Sequence, residues 1–264
     1  MKIRNPHDGR CHFSEIKEMA NSPAHYYSTC TEPRRDATGP MTIGSAVDRI
    51  VFGTPEKVVL YPGKVRNGGE WDAFRKAHAD KVICIRSEWD TAHATAELVL
   101  RDPVAGPLLR LAGNDFQRTL QWETYGGLEC AAGLAGADGR GGFDIINERE
   151  SLIVDLKASG DAEPDGLMRH ARRMLWHAQG RWYLDGAQAV GIDCTRFKLI
   201  VAETSGIAVT VLTLGPRVLE AAARSISHWV ERLKGCEASG HWPGYQQSEV
   251  EWDDVEDAGL VFPE

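Results

Sequence analysis

No CxxC pair occurs in this chain of 264 residues. Its six cysteines (Cys11, Cys30, Cys84, Cys130, Cys194 and Cys236) lie far apart. That spacing argues against a zinc site and against an iron–sulfur cluster held by closely spaced thiols. It does not suit a small disulfide scaffold either, so reduced thiols in a cytosol are expected. No apolar run approaches the roughly 20 residues of a membrane helix. The opening MKIRNPHDGRCHF holds no apolar stretch of signal-peptide type, so no secretory signal is expected. A phosphate-cradling GxxxxGK, a GxGxxG and a Ser/His/Asp nucleophile pattern are all missing. GRGG at 139–142 reads as a flexible turn, too short for a nucleotide loop. Internal repeats and low-complexity tracts do not occur.

Positive charge is also in deficit. The formal net charge is -8, whereas a protein that coats nucleic acid nonspecifically is basic. A local basic groove stays compatible with this balance, because metal-binding acids add negative charge where a nuclease site needs it.

What is present suits a buried core: 42% of residues are hydrophobic, with eight Trp and 27 Gly. FSEIKEMA (13–20) predicts a short helix capped by Ser14, and Pro23 ends it or opens the next turn. A loop is expected at 29–40 and a helix at 42–53, where Ile43, Ala46, Val47, Ile50 and Val51 recur at helical spacing. Another loop spans 61–71, and WDAFRKAHA and SEWDTAHATAELVLRD read as helices. Strands dominate 117–158. One long helix is expected over 164–190, capped by Gly191, followed by strands RFKLIVAET and IAVTVLTL. A last helix begins at Pro216, and the tail after it is expected to be extended. Helices, strands, helix, strands, helix in that order imply an α/β fold with a central mixed sheet. The whole of 1–264 reads as one domain. Residues 1–115 form a mainly helical N-terminal part, 116–235 the sheet and its helices, and 236–264 the tail.

One stretch carries chemistry. In IVDLKAS, alternation puts Ile153, Asp155 and Lys157 on one strand face and Leu152, Val154 and Leu156 on the other. If FDIIN and LIVDLKAS form a hairpin centred between Arg149 and Glu150, Asp144 stands opposite Asp155. Two carboxylates and a lysine suit a hard divalent cation such as Mg²⁺ and its activated water, with Lys157 orienting the water or stabilising developing charge. From DLK alone, a half-exposed surface pair is the simpler reading. On the predicted long helix, Arg172, Trp176, Gln179 and Tyr183 form one stripe. Arg169, Arg172 and Arg173 form a cationic cluster suited to DNA phosphates. Taken alone, that helix reads more simply as one packing Trp and Tyr on the sheet. His25 reads as a cap or packing residue, and His170 and His177 as structural or DNA-facing.

The ordered set SPAHYY, IGSAVDRIVFG, FDIIN…IVDLKAS, HAQGRWYLDGA and GHWPGY resembles the RecE (exonuclease VIII) group of PD-(D/E)xK nucleases, related to the RecB nuclease domain. The resemblance covers about residues 12 to 245. It implies a PD-(D/E)xK, restriction-endonuclease-like core. It assigns metal binding to Asp144 and Asp155, with the Leu156 carbonyl as a further ligand, and catalysis to Lys157, with Gln179 and Tyr183 as the Q-xxx-Y helix motif. It also implies Mg²⁺ as cofactor, with Mn²⁺ as a substitute, and 5′ to 3′ digestion of double-stranded DNA ends to leave 3′ single strands. A homo-oligomeric ring, a single-strand annealing protein as partner and a phage or prophage origin in a bacterial cytoplasm follow as expectations. Two positions depart from the family. Asp48 stands where a metal-binding His is usual, and Gln117 stands where an acid usually precedes the central strands. Asp48 is either a third metal ligand or a solvated helix residue. The departures leave open a catalytically impaired module that binds DNA ends or a partner, and an endonuclease on the same fold is a further alternative.

Overall fold

Local sequence signals set the elements in chain order. The structure, a computed structural model, describes residues 2–32, 37–133 and 142–245. Strand β1 (Cys11–His12) leads into α1 (Phe13–Ile16) and a 3₁₀ turn at Lys17–Ala20. The cap is His12 rather than Ser14. The Glu15 carboxylate accepts the His12 N–H at 3.0 Å and completes a capping box. Ser22 caps α2 (Pro23–Thr31), so Pro23 opens a helix. Helix α3 (Gly39–Val51) begins before the predicted residue 42, with Pro40 in its first turn. Next come β2 (Val58–Leu60), α4 (Gly68–Ala77), β3 (Val82–Cys84), α5 (Arg86–Arg101) and α6 (Ala105–Leu109). Short β2 and β3 pair in parallel and were not legible as strands.

The sheet-forming stretch holds β4 (Asp115–Arg118), β5 (Leu120–Thr124), β6 (Leu128–Ala132), β7 (Phe143–Asn147) and β8 (Leu152–Ser159). Helices α7 (Pro164–Arg173) and α8 (Trp176–Ala189), strands β9 (Arg196–Glu203) and β10 (Val209–Thr213), and α9 (Pro216–Ser239) complete the order. The expected extended tail is therefore helical through Ser239, and its part beyond 245 lies outside the described residues, as does most of GRGG. No helix among the described residues is long and apolar enough to cross a membrane.

A central mixed sheet runs β10-β9-β8-β7-β4, with β8 and β9 parallel and the other neighbours antiparallel. The hairpin takes the predicted register: Ile145 faces Val154, Ile146 faces Ile153 and Asn147 faces Leu152. The turn lacks Asn-Gly, and Asn147 replaces that signal. Fully buried, Asn147 accepts the Glu150 N–H at 3.0 Å and donates to Asn114 Oδ1 at 2.7 Å. Each face of β8 then enters its own core. Ile153 joins Phe197, Leu199 and Val201 under α8 and α9. Leu152 and Val154 join Ile145 and Ile200 near α5 and α6.

The predicted long helix is two. Leu175 sits between them at φ 58 and caps α8. A left-handed conformation costs a residue other than glycine about 1–2 kcal/mol, and no proline or glycine announces the break. Tertiary packing supplies the compensation: Leu175 lies against the main core, and the buried Trp176 ring meets His170 edge-on at 5.1 Å. The Arg172, Trp176, Gln179, Tyr183 stripe is thereby interrupted after Arg172.

Helix α8 fits closely between this sheet and a second, three-stranded one ordered β1-β6-β5. A Cβ on Gly180 would come within 2.6 Å of Leu214 Cδ1 and 2.9 Å of Phe197 Cδ1, and one on Gly186 within 2.8 Å of the Trp122 ring. Alanine would gain about 1 kcal/mol of helix propensity, but overpacking costs roughly 1–3 kcal/mol. Both Gly180→Ala and Gly186→Ala are therefore expected to lower unfolding stability in urea titrations. Unchanged or higher midpoints would show that α8 has slack against the sheets.

Candidate active site

The hairpin register brings Asp144 and Asp155 to one place because both lie one step beyond the Ile145–Val154 pair. Asp144 Oδ2 accepts the Leu156 backbone N–H at 2.7 Å, which fixes the carboxylate against β8. Asp155 is 3% exposed, and its Oδ2 lies 2.6 Å from Lys157 Nζ. Helix α3 contributes Asp48 from its last turns. Helix α8 contributes Gln179, whose Nε2 donates to Asp155 Oδ1 at 3.4 Å and to Tyr183 Oη at 3.2 Å. Phe143 holds the Tyr183 ring at 4.5 Å. Of the residues singled out in the sequence, Asp48, Asp144, Asp155, Leu156, Lys157, Gln179 and Tyr183 all line one cavity of about 570 Å³.

Gln117 completes the cluster in an unexpected way. Its Nε2 donates to Asp48 Oδ1 at 3.3 Å and to Asp144 Oδ1 at 3.2 Å. Its φ of 54 is left-handed within a strand, the kind of strain that persists only where its surroundings fix it. The buried Oε1 has no hydrogen-bond partner. The amide thus stands between two acids and supplies part of the positive potential they need.

Burial and mutual repulsion govern the charges. Burial pushes the Asp144 carboxyl well above the usual carboxylate range, and Asp48 and Asp155 push it further, against Lys157 and the Leu156 N–H. Burial likewise raises Asp48 to about 6; Arg49 opposes this and Asp155 adds to it. For Lys157, burial favours the neutral amine, but Asp155 and Asp144 outweigh it and hold the ammonium above its ordinary value. Burial and then Asp155 raise the Tyr183 phenol, so it stays protonated. Lys157 is consequently a fixed cation and Tyr183 a neutral phenol.

Three converging carboxylates with too little positive charge around them fit a hard divalent cation bound through oxygen. Asp48, Asp144 and Asp155 are the residues that could hold it. Among the described residues, no three His, Cys, Asp or Glu side chains already stand as a finished ligand set, and the Gln117 amide lies between two of these acids.

The cationic cluster read from the sequence lies elsewhere. Arg169, Arg172 and Arg173 are exposed on α7 and are not among the residues lining the cavity. The break at Leu175 separates them from the Gln179 helix. Instead the cavity extends past Arg49 to Arg66, Trp71, Arg75, His78 and Lys81 on and around α4. The sequence predicts this wall only as a loop over 61–71 and a helix over WDAFRKAHA. Its available signal was Trp71, Arg75 and His78 at i, i+4 and i+7, one face of a helix. His25 accepts its assigned place as a cap partner, with Nδ1 2.7 Å from Ser22 Oγ, and stands outside this cavity. All six cysteines are buried, and none forms a disulfide.

A carboxyl at about 6 in the folded chain, against 3.8 when unperturbed, binds its proton more tightly folded than unfolded. Its contribution to stability is complete below 3.8 and is lost as pH rises to about 6. In metal-free buffer, wild-type Tm is therefore expected to fall relative to Asp48→Asn across that window. Adding Mg²⁺ above it should narrow the gap by stabilising the wild type. Parallel Tm–pH curves would refute this account of Asp48.

Comparison with known proteins agrees with the fold. A crystal structure of a protein from Eubacterium rectale, described as a candidate exonuclease, superimposes with a TM-score of 0.63 at 12% identity, covering 96% of this chain and 94% of that one. At that identity the likeness shows a shared fold. No functionally curated protein matches the chain. The sequence over residues 12–251 matches the family model described as a PDDEXK-like domain of unknown function, and the chain belongs to that family.

Proposed function

We propose that the protein is a Mg²⁺-dependent exonuclease that digests linear double-stranded DNA, 5′ to 3′, and leaves 3′ single-stranded tails for recombination by annealing. The observation that carries this reading is the cluster of buried Asp144 and Asp155 with half-buried Asp48 and Lys157 on the floor of one groove. A PDDEXK-like fold supports a nuclease. The polarity, the annealing partner, a homo-oligomeric ring and a phage origin rest on the resemblance of the sequence motifs to the RecE group.

In this reading Asp48, Asp144, Asp155 and the Leu156 carbonyl hold Mg²⁺, and Mn²⁺ serves as a substitute. The cation supplies Lewis-acid polarisation of the phosphodiester and a more acidic water. Lys157, kept charged by Asp155, orients a water or stabilises charge developing on the phosphoryl oxygens. Gln179 donates to Asp155 and to the neutral Tyr183 hydroxyl and so keeps both in place. Arg169, Arg172 and Arg173 hold phosphates of the duplex away from the cavity, as exposed cations do at long range.

A second reading has its own observation. The Gln117 amide already bridges Asp48 and Asp144, which suits a noncatalytic module that keeps the fold and binds DNA ends or a partner. Calorimetric titration separates the two, since the module would bind DNA without binding Mg²⁺ or Mn²⁺. An endonuclease is a variant of the first reading, and a covalently closed circle tests it.

Asp155→Ala and Lys157→Ala are each expected to abolish Mg²⁺-dependent digestion of linear duplex DNA while leaving a cooperative melt. The wild type should leave covalently closed circular DNA intact. Undiminished digestion by both variants would sink the mechanism, and cleavage of the circle would reassign the enzyme as an endonuclease.

A further inference from the structure

We propose that the outer wall of the groove is a seat for the unpaired end of a DNA strand, with Trp71 as the surface on which a base stacks. The inference deepens the nuclease reading and rests on it for the identity of the polymer. The cavity runs without interruption from the three acids to the wall made by α4 and β3. Charge along it is segregated. Acids form the floor, whereas Arg49, Arg66, Arg75 and Lys81 line the rest beside Asp80, with Arg75 paired to Asp72 at 3.6 Å and Arg66 to Glu88 behind the wall. In a chain of net charge -8, such a cationic strip is a local feature that draws a polyanion toward the acids.

The aromatic groups add what charge alone does not. Trp71 is half-buried, and it belongs to none of the hydrophobic clusters among the described residues. Its ring is nevertheless held firmly. Tyr61 meets it edge-on at 5.1 Å, and the Arg66 guanidinium lies over it at 5.8 Å. Arg66 is itself fixed, donating to Glu88 Oε1 at 2.9 Å and to the Ile83 carbonyl at 2.9 Å. It therefore acts as a clamp on Trp71 more than as a phosphate ligand. Phe74 packs on Tyr61 at 5.1 Å and on His78 at 4.2 Å, which stiffens the same helix face. A rigid indole lining a cationic groove matches how proteins hold single strands, by stacking bases while cations track the phosphates. The bases of an intact duplex are already stacked on each other and give such a ring nothing to bind. The seat therefore selects a frayed or unpaired end and directs it to the acids.

Fluorescence anisotropy in metal-free buffer, with labelled oligothymidylate and a labelled blunt duplex, tests the seat. Trp71→Ala is expected to weaken oligothymidylate binding by about fivefold or more, the range one stacked base supplies. Duplex binding should change less, and Trp71→Phe should restore most of the loss. Lys81→Ala should reduce the salt slope for the single strand by about 0.7. Unchanged oligothymidylate affinity in Trp71→Ala, equal weakening for duplex and single strand, or no single-strand binding by the wild type would each overturn the seat. If Trp71→Ala melts early, Trp71→Phe against Trp71→Leu decides, because only Phe keeps a stacking face. A wild type that cleaves no phosphodiester yet shows the Trp71-dependent binding would overturn the nuclease reading and leave the seat standing.

Discussion

Holding three carboxylates together, two of them buried and the third half-buried, is the constraint on which the rest of the structure depends. Each ionised acid raises the cost of ionising the next, and burial removes the water that would screen them. Asp144 registers this most strongly. Every group around the cluster answers that cost. The Leu156 N–H is directed at a side chain instead of a neighbouring strand, Lys157 is kept as a cation, and Gln117 adopts a strained backbone to deliver its amide. A fold selected for stability alone would place apolar residues here, as it does at Ile145 and Ile153 on either side. The cluster is a departure that the two flanking cores can sustain.

Those cores explain why the site holds its shape. Strand β8 is covered on both faces over its first half, so it cannot slide to relieve repulsion among the acids. Asn147 closes the hairpin turn from within and removes register slip as another escape. Parallel pairing of β8 with β9 adds a continuous ladder from Leu152 to Ser159. The repulsion is left for solvent, protons or a cation to settle, which is the condition of a binding site.

Much of this was legible in the sequence because it depends on alternation and short-range pairing. The face shared by Asp155 and Lys157, the position of Asp144 across the hairpin, and the Gln179–Tyr183 turn of helix all follow from a period of 2 or 3.6. Three features were not legible, each for a tertiary reason. The break at Leu175 has no glycine or proline to mark it and exists because Leu175 and Trp176 gain burial. Gln117 looked like the loss of an acid, since nothing local shows that its amide reaches Asp48, 69 positions away. The α4 wall was missed because its cations and aromatics are remote in sequence from the acids. The arginines on α7 drew notice by being clustered along the chain, yet they lie outside the cavity.

The left-handed residue at Leu175 has one more consequence, for how this protein tolerates change. In an uninterrupted helix, one inserted or deleted residue turns everything after it by about 100°. Such a change in the α7 stretch would swing Gln179 and Tyr183 out of the cavity. With the helix restarted at Leu175, the angular phase of α8 is set afresh and then locked by the ring contacts of Gly180 and Gly186. Helix α7 and its three arginines form a segment whose length and charge can drift while the residues beside Asp155 keep their bearing.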